Sequence, residues 1–116
     1  MTKADESIAL CEATPGGRDR LMIYLTRRAE IRMALKQFEE ARADSARALT
    51  LAQKAAGPDL LTCRIGRAYL ALGRALAAQG NVEEAHTAYA SALKHLTSSL
   101  GKEHAETLEA AKGVNL

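Results

Sequence analysis

Residues 80–93 read GNVEEAHTAYASAL, and residues 36–49 read KQFEEARADSARAL. At an offset of 44, Glu39 and Glu40 fall on Glu83 and Glu84, Ala41 on Ala85, Ala46 on Ala90, Ala48 on Ala92 and Leu49 on Leu93. The match extends outward. Arg20 and Arg64, Ala34 and Ala78, and Gly57 and Gly101 are identical pairs, while Leu21 faces Ile65, Ala29 faces Gly73, Phe38 faces Val82 and Asp59 faces Glu103. Self-agreement at one fixed period is the mark of repeated supersecondary units. Two copies occupy roughly 17–56 and 59–100, and a third begins near 103.

Each copy reads as two helices. Leu61, Ile65, Tyr69, Leu72 and Leu76 keep a spacing of three or four and make one apolar stripe. Gly80 stops that helix, as a glycine just past a C-terminus does. Asn81 is placed to cap the next helix, with Glu84 completing a capping box. Ala85, Ala88, Tyr89, Ala92 and Leu96 then form an inner stripe dominated by alanine. Small residues on a helical face let the neighbouring helix come close, because interaxial distance follows side-chain size. Gly57-Pro58-Asp59 and Gly101-Lys102-Glu103 punctuate between copies, and no segment alternates with period two, so strands are not expected. The expected fold is all-α: antiparallel helix-turn-helix pairs, stacked as a short solenoid in which each unit contacts mainly the next.

Composition agrees with one such domain. The chain has 116 residues, 47% hydrophobic and 26% charged, with 3% aromatics and no Trp. A core must therefore come from Ala, Leu and a few large anchors. Net charge is +2, too small to imply nucleic acid by itself. Cys11 and Cys63 fit no metal spacing and no disulfide framework, which points to a reduced, cytoplasmic protein. No apolar run approaches the ~20 residues of a membrane span, and MTKADESIALCEATPGG has no signal-peptide pattern. Its SIALCE run is read either as the end of a preceding repeat or as a short N-terminal capping helix.

Leu72, Gly73, Leu76, Gly80, Ala85, Tyr89 and Ala92 in the second copy resemble the tetratricopeptide repeat (TPR). The first copy supplies Arg28, Ala29, Arg32, Lys36, Ala41, Ser45 and Ala48 at the same places. The 44-residue period, with LGKEHAETLEA after it, is similar to the longer repeats of kinesin light chains and many bacterial signalling proteins. The resemblance covers about residues 17–110. It implies a right-handed solenoid, with residues 103–112 as a capping helix, that binds a protein or peptide on its concave face within a bacterial regulatory or signalling system. It also implies a pair between Arg28 and Asp44, with Ile31 and Leu35 supplying the apolar contacts that Arg32 does not.

Catalytic groups do not converge in the sequence. His86, His95 and His104 are nine apart, which puts successive members on opposite sides of a helix. No GxSxG, P-loop, HExxH or dinucleotide fingerprint occurs. The Glu39-Glu40 and Glu83-Glu84 pairs fall in first turns, where they complement the helix dipole. The expectation is a non-enzymatic protein with no cofactor and no metal. Carried over by position, the peptide groove comprises Ile23, Thr26, Arg27, Glu30 and Met33 of the first copy and Arg67, Leu70, Arg74 and Ala77 of the second. Arginine for carboxylates beside Leu and Met for an apolar anchor suits an acidic-hydrophobic peptide. Two alternatives stay open. One is self-association, since so few repeats are marginal alone and leave apolar end faces. The other is nucleic-acid or other anion binding through the arginine-rich first helices, disfavoured by the small net charge and scarce aromatics.

Overall fold

The structure is a computed structural model that describes residues 18–55 and 62–115. These form five helices: α1 Arg18–Ala34, α2 Phe38–Ala55, α3 Thr62–Ala78, α4 Val82–Leu100 and α5 Ala105–Val114. No strand occurs among the described residues. The SIALCE run, Leu61 and the Gly57-Pro58-Asp59 turn lie outside them. The last helix starts two residues after the expected 103 and ends two residues after 112.

Each helix packs chiefly on its neighbour in the chain, and α1 also touches α3, as α3 touches α5. Successive helices run antiparallel. Arg42 of α2 meets Gln79 at the end of α3, whereas Gln53 meets Tyr69 near its middle. On α4, Tyr89 lies against Gly73 and Leu96 against Gly66. Between α1 and α3 the register is parallel: Arg74 approaches Glu30, 44 residues earlier.

The alanine stripe explains the closeness of α3 and α4. Ala85, Ala88, Tyr89, Ala92 and Leu96 are all buried, as their spacing indicates. They pack with Leu70, Leu76 and Ala110 of the flanking helices. Gly66 leaves room for Leu96, since a Cβ there would sit 2.8 Å from Leu96 Cγ. The α1 side of the core is smaller: Leu21 and Leu25 with Ala48 and Ala68, and Met22 with Ala52 and Ile65. Ile31 and Leu35 do not join it; they are 42% and 60% exposed. The inward stripe of α1 runs through Leu25, Ala29 and Met33, and a residue two places from Ala29 lies on the far side of the helix.

Arg28 and Asp44 do pair. The guanidinium donates from Nε and Nη2 to the two carboxylate oxygens, each at 2.8 Å. Arg32 adds a third contact, Nη1 to Oδ2 at 3.0 Å. The carboxylate of α2 is thus buried beneath two cations of α1. Arg32 fills its place with charge and needs no apolar substitute.

The two helix-pair turns share one geometry. Gly80 has φ 83°, with Gly80 N–H donating to Ala77 O and Asn81 N–H to Leu76 O. That is the Schellman arrangement. At the equivalent place Lys36 has φ 62°, with Lys36 N–H donating to Met33 O and Gln37 N–H to Arg32 O. Asn81 makes no side-chain cap. Its φ of −84° and ψ of 70° are those of a residue closing the preceding turn, not the extended conformation of a capping residue. A lysine in the left-handed region costs what a glycine does not. Lys36→Gly is therefore expected to raise stability by roughly 0.5–1 kcal/mol, and chemical denaturation checks it.

Candidate functional site: the pocket between α1, α3 and α5

α1 and α3, the first helices of the two sequence copies, lie side by side, and α3 also touches α5. Between them opens a pocket of about 440 Å³ lined by Met22, Ile23, Thr26, Arg27 and Glu30 of α1, Ala48 of α2, Arg64, Arg67 and Ala68 of α3, and Glu106 of α5. A smaller hollow of about 90 Å³ next to it is lined by Ala29, Glu30, Met33, Ala71 and Arg74. Of the groove residues expected from sequence, Ile23, Thr26, Arg27, Glu30 and Arg67 come together in the larger pocket. Met33 and Arg74 line the smaller one, with Glu30 shared between them.

Leu70 and Ala77 are elsewhere. Leu70 is 2% exposed and belongs to the core with Leu76, Tyr89 and Leu96, and Ala77 packs against the same cluster. Arg67 and Arg74 share a face because seven residues make nearly two full turns. Leu70 sits about 60° round from Arg67, enough to turn it into the core.

Two of the expected arginines are already engaged. Arg67 Nε donates to Glu106 Oε2 at 2.8 Å. Arg74 Nε donates to Glu109 Oε2 at 2.7 Å, and its Nη1 stands 3.8 Å from Glu30 Oε1. Arg74 therefore ties α1, α3 and α5 together. The hydrogen bond to Glu106 raises the Arg67 pKa further above its ordinary value. Arg27 is exposed and makes no hydrogen bond or ion pair with any described residue. The Thr26 hydroxyl is spent on Met22 O at 3.0 Å.

Glu106 is a pocket residue that repeat matching did not supply. With residues 103–112 taken as a cap, its acids had no assigned neighbours. His104 was likewise missed: its Nδ1 accepts from Glu106 N–H at 3.2 Å and caps α5, fixing the residue whose carboxylate meets Arg67.

The other titratable groups lie apart from the pocket lining. His95 stacks on Tyr69 with ring centroids 5.9 Å apart. Burial, and then the charge of Lys94, hold its pKa below the usual imidazole value. Tyr89 is wedged between Gly73 and Gly113, and burial pushes its hydroxyl up. Cys63 is a free, half-buried thiol. No cluster of metal-ligating side chains occurs among the described residues, and none of their helices is long and apolar enough to cross a membrane.

The pocket thus presents three guanidiniums, two carboxylates and an aliphatic floor. Such a surface can hold an extended segment that carries both charge and an apolar side chain. A scan against protein-family models and searches of curated proteins and of solved structures each returned no match.

Proposed function

We propose that the chain is a non-catalytic interaction module that binds a protein or peptide segment in the pocket between α1, α3 and α5. On this reading the helices are successive TPR-like units in a right-handed solenoid, with α5 as the first helix of a third unit. Three features support it: the 44-residue register between Glu30 and Arg74, the matched turns at Lys36 and Gly80, and the stacking of each helix on the next. The resemblance to longer bacterial repeats supports a place in a cytoplasmic signalling assembly.

The observation that carries the binding reading is the pocket lining itself. Exposed Ile23 and Arg27 stand on one wall with Met22, Ala48 and Ala68 beside them, and no side chain of α5 but Glu106 reaches in. The test is selection from a random dodecapeptide library on the immobilised full chain, with Ile23→Asp/Arg27→Glu as the comparison. Both side chains are at the surface, so this variant keeps the helices. Enrichment of related peptides on the wild type and its loss on the variant is the expected result. Equal enrichment on both would place binding elsewhere. Retention of single-stranded oligonucleotides with steep salt dependence, and of no peptide, would favour the anion-binding alternative.

A further inference from the structure

Glu106 belongs both to the pocket wall and to the helix that closes the domain. We propose that its carboxylate stands in for a carboxylate of the bound segment, and that an acidic-apolar ligand binds by taking Arg67 over from Glu106. The proposal rests on the peptide-binding reading and assigns a competitor within the chain to that same site.

Three observations carry it. First, the Arg67–Glu106 pair lies on the pocket surface, with side chains 44% and 34% exposed. A pair so exposed contributes little net stability and exchanges readily for another of the same chemistry. Second, α5 does not depend on it. Thr107, Ala110 and Gly113 are buried against the core, Gly113 abuts the Tyr89 ring, and Glu109 holds Arg74. Glu106 can therefore swing to solvent while α5 stays docked. Third, the opposite wall offers Arg27, whose guanidinium pairs with no described residue, beside the exposed side chain of Ile23. A carboxylate on Arg67 replaces one anion by another, so no guanidinium loses its counter-charge, and Arg27 is available to a second acidic group. An apolar neighbour of the acidic residue packs on Ile23.

The experiment uses a dodecapeptide enriched on the wild-type full chain, labelled with fluorescein and titrated by anisotropy. Glu106→Gln removes the competitor but keeps the side-chain shape. It is expected to tighten binding about two- to fivefold, the range an exposed pair allows. Arg67→Gln is expected to weaken it. Glu109→Gln removes another α3–α5 contact while Arg74 keeps Glu30, and binding should hold at the wild-type value. If Glu106→Gln leaves affinity unchanged or lowers it, or if the enriched peptides carry no acidic residue, the competitor role is wrong while the pocket reading stands. If no peptide is enriched at all, both are wrong.

Discussion

Asp44→Ala is expected to lower stability by about 2–4 kcal/mol, because Asp44 is the one charged side chain buried among the described residues. Asp44 is 4% exposed and receives three hydrogen bonds, two from Arg28 and one from Arg32. Removing it leaves two guanidiniums close together, with side chains only 18% and 25% exposed. Their repulsion and incomplete hydration both favour unfolding. The lower end of the range is set by how far the arginines can reach solvent on their long stems. For a domain of this size, each kcal/mol moves the melting temperature by roughly 4–8 °C, so thermal denaturation reads the effect easily. Asp44→Ala combined with Arg28→Met and Arg32→Leu is expected to recover most of the loss, because an ion cluster replaced by apolar groups is often neutral. Failure of the triple variant to recover would mean that Asp44 supports the fold through its place in α2 and not through the arginines.

The second large effect is expected at the joint between α4 and α5. Tyr89 is buried between two glycines: a Cβ at Gly73 would lie 3.2 Å from its ring, and one at Gly113 would overlap it. Tyr89→Ala is expected to cost about 3–5 kcal/mol through the cavity left behind. Gly113→Ala gives a sharper contrast. Helix propensity alone favours alanine over glycine by about 1 kcal/mol, so a helix with open space at this position would be stabilised. Overlap with the ring instead calls for a loss of about 1–3 kcal/mol, with α5 displaced from α4. In a Tyr89→Leu background the ring is gone and Gly113→Ala should cost little. Urea denaturation of Tyr89→Ala, and of wild type, Gly113→Ala, Tyr89→Leu and the double variant, checks the size, the sign and the coupling.

These two places show how far sequence carries. The pair at Arg28 and Asp44 was legible through the resemblance to the tetratricopeptide repeat, which implies an Arg and an Asp at these two places on facing helices. The inner stripe of α4 was legible because Ala85, Ala88, Tyr89, Ala92 and Leu96 follow one helical period without interruption. The wedge of Tyr89 between Gly73 and Gly113 was not, since Gly113 lies beyond the two full copies and its neighbour is fixed only by the docking angle of α5. Lys36 hid a left-handed turn because residue type argues against one. The alignment with Gly80 was the available clue, and the hydrogen bonds of the turn override the lysine's local preference. Half of the pocket lining coincides with groove positions that the resemblance to the tetratricopeptide repeat implies. The rest failed at Leu70, where a 60° rotation on the helix separates core from pocket, and at Glu106, which belongs to a helix read as a cap.

The binding account meets its most direct test in amide chemical-shift mapping of the full chain, titrated with the enriched dodecapeptide. The expected result is a contiguous set of perturbations at Met22, Ile23, Thr26 and Arg27 on α1 and at Arg64, Arg67 and Ala68 on α3. Perturbations centred instead on the outer faces of α2 and α4, around Ala46 and Ala90, or on the exposed apolar residues Leu35 and Val82, would contradict it.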